Sequence, residues 1–149
     1  MTVGEICNRE VTIIDQDGSI QEAVRLMREH HVGDVVVVEE RGGERYPVGI
    51  LTDRDIVVEI LAEGVDMDAV AIKDVMSYQL LETRERDDVA DALKLMRSKG
   101  VRRLPVVNDQ GVLVGILSVD DVIDALAEEL MDLATLIRRE QLKEQLRRK

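Results

Sequence analysis

At 149 residues, 45% of them apolar, the chain can bury one ordinary core or two small cores that share a boundary. Its net charge of −11 speaks against a nucleic-acid-binding body, because phosphate must be met by a basic face. With Tyr46 and Tyr78 but no Phe or Trp, it also lacks the stacking platforms that single-strand binders use. No apolar run approaches the roughly 18 to 20 residues that span a bilayer, and MTVGEICNRE has neither a basic nor an apolar leader segment, so a cytoplasmic protein without membrane attachment is expected. Cys7 is the single cysteine; it excludes an internal disulfide and reads as a small, buried apolar residue near the N-terminus.

In chain order, Val11 to Ile14 form a short apolar stretch that predicts a strand. Ile20, Ala23, Val24 and Met27 then follow a 3.6 period, with Ser19 and Glu22 spaced as a capping box at the helix start. Val35 to Val38 are continuous and β-branched, which predicts a strand buried on both faces. RGGERYP reads as a hairpin loop, Val48 to Leu51 as the returning strand, and a second helix is expected from about Asp53. The series then repeats. Ala92, Leu95, Met96 and Arg97 stand 69 positions after Ala23, Leu26, Met27 and Arg28, with Leu80 and Leu81 ahead of them and Asp88 and Asp91 as the acidic start signal. Leu104 to Val107, Leu113 to Leu117 and a helix from Val119 complete the second copy. From GILTDRDIV to GILSVDDVI the spacing is 66, three residues having gone from the hairpin, where a duplicated fold tolerates change.

The fold class that follows is α/β (α+β): two β-α-β-β-α repeats packed sheet to sheet about a pseudo-two-fold axis, since a half of this size is marginal alone. Residues 1–66 form the first repeat and 67–130 the second. Residues 131–149 continue as an amphipathic helix, because Leu126, Leu130, Leu133 and Ile137 recur at helical spacing, followed by Leu142 and Leu146, with no Gly or Pro to stop them. RREQLKEQLRRK, residues 138–149, holds six basic and two acidic residues and leaves a strongly acidic body before it. The tail is expected to pack across that body in one subunit or another; a docking arm for a protein partner or an anionic surface is the other use of such a run.

The segments VGEICNREV, SIQEAVRLMREHHVGDVVVVEE and VGILTDRDIV, with their counterparts IKDVMSYQLLE, DVADALKLMRSKGVRRLPVVND and LVGILSVDDVI, resemble a tandem pair of cystathionine β-synthase (CBS) domains from Val3 to about Leu130. The resemblance implies a Bateman module: two repeats enclosing clefts that bind an adenine nucleotide (AMP, ADP or ATP) and regulate an unidentified partner protein. It also implies a homodimer formed through helices.

Thr52-x-x-Asp55 and Ser118-x-x-Asp121 begin the last helix of each repeat and support two readings. One is capping, with a hydroxyl accepting from a backbone N–H and an acid favoured by the helix dipole. The other, raised by the resemblance, is a carboxylate that accepts from ribose hydroxyls. Similar repeats carry basic residues before the middle strand, where this chain has Arg102 and Arg103 in one copy but Gly33 and Asp34 in the other; Arg54 faces a second difference, Asp120. The expected cleft therefore sets Asp55 or Asp121 on ribose and Arg54, Arg102 and Arg103 on phosphate, with Asp34 repulsive to phosphate. Each arginine is equally accounted for as a solvated surface charge. Adenine would lie among Val11, Ile14, Leu80, Leu81 and Val106, which also fit as core. His30 and His31 end a helix, and no second His or Cys cluster offers metal spacing, so no metal is expected. No phosphate loop, nucleophile elbow or zinc-protease motif is present, and catalysis is not expected. A non-catalytic oligomerisation module with empty clefts is the alternative.

Overall fold

The computed structural model describes residues 1–76 and 80–148; Tyr78 and Lys149, both counted above, lie outside the described residues. The order is α1 (Val3–Ile6), β1 (Ile13–Asp15), α2 (Ile20–His30), β2 (Asp34–Arg41), β3 (Glu44–Thr52), α3 (Asp53–Ile56), α4 (Ile72–Val75), β4 (Thr83–Arg84), α5 (Val89–Lys99), β5 (Arg103–Val107), β6 (Leu113–Ser118) and α6 (Val119–Arg147). A π-helical turn, Val57–Leu61, prolongs α3, and a 3₁₀ turn, Met67–Ala69, precedes α4. The strands form two three-stranded sheets, β1-β2-β3 and β4-β5-β6, each with a parallel first pair and an antiparallel second pair. The pairing irregularity at Val37/Val38 recurs at Val106/Val107, so the duplication extends to a bulge.

Local chemistry accounts for the elements. Ser19 Oγ accepts from the Glu22 N–H at 3.1 Å, and Asp88 Oδ1 accepts from the Ala90 N–H at 3.0 Å, one residue short of the expected Asp91. Val35 to Val38 and Leu104 to Val107 are buried throughout, as a two-faced strand demands. Val24, given to the apolar face by its spacing, is exposed. RGGERYP is not a loop: β2 and β3 run on to an Arg41–Glu44 pair, and the turn is Gly42-Gly43, both at positive φ. Two such residues in the left-handed region give a hairpin turn whose twist matches that of its strands, so the extra residues lengthen the ribbon.

The cores cross over between the repeats. Val3, fully buried, packs with Val89, Leu104, Val106 and Leu117 of the second repeat, while Ile72, equally buried, packs with Ile14, Ile20, Val35 and Leu51 of the first. The two opening turns, α1 and α4, are equivalents at the repeat spacing, and each completes the other repeat's core. Backbone bonds fix α1 there: the Val3 N–H donates to the Asp87 carbonyl at 2.9 Å, and Asn8 and Ile116 exchange two bonds of 2.9 Å. Gly115 allows this, since a Cβ would meet the Asn8 carbonyl oxygen and Cys7 Sγ at 2.9 Å. The boundary at residue 66 thus separates repeats along the chain without separating cores.

The repeats end differently. Gly64, at φ +67°, closes the turn after α3, whereas the equivalent position is Leu130 and α6 continues without a break for 29 residues. Only Val122 of α6 is buried, so of the two placements expected for the tail, the one across its own body is not adopted. Among the described residues, no helix is long and apolar enough to cross a membrane.

Candidate functional site

Each repeat places its hydroxyl and acid at the junction of the last strand and the last helix. Thr52 Oγ1 accepts from the Asp55 N–H at 3.1 Å and Asp55 Oδ2 accepts from the Thr52 N–H at 2.9 Å. Ser118 and Asp121 form the same box at 3.1 and 3.0 Å. Capping therefore accounts for one oxygen of each carboxylate and leaves Oδ1 outside the box. The helix starts are pinned to the residue before the middle strand, the Asp53 N–H donating to the Gly33 carbonyl and the Val119 N–H to the Arg102 carbonyl, both at 2.9 Å.

Both boxes open onto hollows between the repeats. The first hollow, of about 450 Å³, gathers Thr52, Arg54 and Asp55 from the first repeat and Leu80, Leu81, Arg102 and Arg103 from the second. The second, of about 230 Å³, gathers Ser118 and Asp121 with Val11, Arg103, His31 and Asp34. Arg102 therefore serves the cleft of the opposite repeat's helix and Arg103 borders both clefts, and it is Asp55, not Asp121, that shares a hollow with all three arginines. Ile14 and Val106 line neither hollow: both are core residues, at 5% and 0% exposure, Ile14 being the buried residue of β1 and Val106 lying in the two-faced buried run of β5.

Charge distinguishes the clefts. In the first, Arg54, Arg102 and Arg103 balance Asp34, Asp53 and Asp55; in the second, Arg103 and His31 face Glu10, Asp34, Asp120 and Asp121. Asp34 and Arg103 occupy equivalent positions in the two repeats, form an ion pair across the pseudo-two-fold and line both hollows. Asp34 is 8% exposed, and Oδ2 has no hydrogen-bond partner of good geometry besides this ionic contact. Burial pushes its carboxyl above the usual carboxylate range, more than Arg103 draws it down. Sequence reasoning treated Asp34 only as a repulsive neighbour of phosphate. The signal available was the repeat spacing itself, which sets an acid in one copy opposite a base in the other. Asp53 and Gly33 were also missed; a Cβ at Gly33 would meet Asp53 Oδ2 at 3.1 Å, so the glycine leaves room for that carboxylate.

His30 and His31 cap α2, His31 in the left-handed conformation. Among the described residues, no group of three or more His, Cys, Asp or Glu could hold a metal ion. Cys7 packs against the second core, and burial raises its thiol above the ordinary range, which makes it a poor nucleophile.

Two repeats with this topology, exchanged opening turns and clefts between them define a tandem module. Residues 3–62 and 72–128 match the CBS domain family, and the chain belongs to it. It is 36% identical over 121 residues to the CBS domain-containing protein YhcV of Bacillus subtilis, covering 81% of this chain and 82% of that one. It is 38% identical over 123 residues to an uncharacterized protein of Methanopyrus kandleri, covering 83% of this chain but only 61% of that longer protein. Among solved structures, a CBS domain protein of Pyrobaculum aerophilum complexed with AMP superimposes with a TM-score of 0.77 at 27% identity, covering 91% of this chain and 99% of that one.

Proposed function

We propose that this CBS pair is a ligand-sensing regulatory module that takes an adenine nucleotide in the cleft at α3 and alters a partner protein in trans. One observation carries the reading: a hollow of about 450 Å³ in which Thr52 and Asp55 of one repeat face Arg102 and Arg103 of the other, with Arg54 alongside. A nucleotide needs a sugar acceptor and phosphate donors in one cleft, and the lining here, with Asp55, Arg54, Arg102 and Arg103, offers groups of both kinds. The aliphatic side chains of Leu80 and Leu81 suit a base without an aromatic partner. The AMP complex of the similar Pyrobaculum protein supports the same ligand class. The second cleft, with four acids against Arg103 and His31, repels polyphosphate and is the weaker site. No catalytic role is assigned to either cleft.

Calorimetric titration with AMP, ADP, ATP, NAD(H) and S-adenosylmethionine tests this. Binding is expected for at least one of the mononucleotides, and Asp55→Ala should weaken it by about 1.5 to 3 kcal/mol, the cost of a lost charge-assisted contact. Asp121→Ala should leave it within a factor of about two, as expected for a site with no shared contacts. Thermal melts of both variants separate lost binding from lost folding. Silence from every ligand at millimolar concentration would leave the oligomerisation module as the function.

A further inference from the structure

Arg103 is claimed from two sides. It opens β5 opposite Ser118, Asp34 opens β2 opposite Thr52, and the two side chains meet across the pseudo-two-fold. We propose that a phosphate bound in the cleft at α3 competes with Asp34 for this one cation, and that Asp34 takes up a proton when it loses; the coupling rests on the nucleotide reading above. The ion pair engages Nε of Arg103, which leaves the two terminal nitrogens of the guanidinium for a phosphate. Among the described residues, Arg54 and Arg102 form no ion pair, so Arg103 alone of the three must be shared. Its side chain is 41% exposed and can follow a ligand, whereas that of Asp34, at 12%, stays where β2 holds it.

Asp34 has nothing to put in the place of Arg103. Its Oδ2 is shut off from solvent and, among the described residues, has no hydrogen-bond partner, only the ionic contact. On the α3 side the charged groups around it are Arg54, Arg102, Asp53 and Asp55, and a phosphate there would occupy the two arginines. On the other side Glu10, Asp120 and Asp121 outnumber His31. A buried carboxylate that loses its counter-charge is costly, and taking a proton relieves that cost. Burial and the neighbouring Asp53 already push the carboxyl up, and the charge of Arg103 is what draws it down. The proton also changes the cleft. With Asp34 ionised, Arg54, Arg102 and Arg103 are balanced by Asp34, Asp53 and Asp55; with Asp34 neutral, the lining is left with a net positive charge that favours a phosphate. By linkage, nucleotide and proton then each tighten the binding of the other.

Calorimetric titration of the full chain with AMP, ADP and ATP over a range of pH tests the coupling, with Asp34→Asn as the reference. At neutral pH Asp34→Asn is expected to bind the nucleotide several-fold more tightly than wild type, since the amide leaves Arg103 to the phosphate. As pH falls, wild type should close on the variant, by up to about tenfold per pH unit, the limit for one linked proton. The terminal phosphate itself titrates at about pH 6 with either protein and cancels in the comparison. Buffers of low and high ionisation enthalpy count the proton directly, with more uptake expected in wild type than in Asp34→Asn. Carbon-13 shifts of the Asp34 carboxyl, followed against pH with and without nucleotide, read the same coupling in the wild-type chain alone and need no variant to fold; the nucleotide should move the midpoint up. Binding with a ratio of affinities that does not change with pH, or with an unmoved midpoint, overturns the coupling and spares the nucleotide reading. Weaker binding by Asp34→Asn at neutral pH overturns the competition, because it makes Asp34 a residue that aims Arg103 at the ligand. Silence from AMP, ADP and ATP alike removes the nucleotide reading and the coupling with it.

Discussion

The two clefts share one scaffold and differ in charge. At each, a hydroxyl and an acid close a capping box of nearly the same dimensions, and a backbone bond ties the helix start to the residue before the middle strand. What differs is what stands around the box: Arg54 and Arg102 line only the first hollow, and Glu10, His31 and Asp120 only the second. The box therefore belongs to the fold, which needs it twice, and the selectivity belongs to the few positions where the duplication has diverged. Asp34 and Arg103 mark the join between these roles, since they are equivalent residues that neutralise one another and border both hollows.

The comparison can be broken first at the cores. Leu51 and Leu117 are equivalent and fully buried, so Leu51→Ala and Leu117→Ala should each cost about 2 to 5 kcal/mol. Because the opening turns are exchanged, urea unfolding should remain a single transition in both variants; two separated transitions would mean that the repeats fold as independent units. A smaller effect is expected at the ion pair. Arg103→Met leaves the buried Asp34 carboxylate uncompensated and should cost about 1 to 3 kcal/mol at neutral pH, Arg103 being partly exposed, with much of the loss recovered in the Asp34→Asn double variant.

The same pair gives a pH dependence. Asp34 has a folded pKa above its unfolded value, so the native state holds the proton more tightly and this group's contribution to stability grows as pH falls from above the raised value toward the unfolded one near 3.9. Removing Arg103 takes away the attraction that lowers Asp34, and the window should move to higher pH. Denaturation as a function of pH checks this, with Asp34→Asn as the reference from which the contribution is absent; identical profiles for Asp34→Asn and wild type would remove it. The smallest effect sharpens the likeness: Thr52→Ala and Ser118→Ala should each lose about 1 kcal/mol, the ordinary worth of an N-cap. A clear inequality between them in urea melts would show that one box has a load the other lacks.

Much of this fold can be read from residues. The spacings of 69 and 66 located both repeats, the β-branched runs marked the buried strands, and the lack of a helix stop after Val119 anticipated one long α6. What escaped was partnership at a distance. VGEI and IKDV are visibly equivalent, yet no periodicity says that each seats in the other repeat's core. The same blindness hid which arginines face which carboxylate, because Arg102 of one repeat lines the cleft of the other and Arg103 lines both. Ile14 and Val106 were offered to a ligand because they are apolar and near a strand start; both point into the helix-covered cores instead and are taken up there. Gly42-Gly43 was a legible mirror-turn signal inside RGGERYP that the loop reading passed over.

The interlocked opening turns have a kinetic corollary. Val3 finds its seat only once β6 exists to receive it, a full repeat downstream, so α1 must wait unplaced while the intervening chain takes shape. Until that late docking, Leu104 and Leu117 lack a wall, and the protein's vulnerability to misassembly should be concentrated in the interval before its two ends of sequence meet.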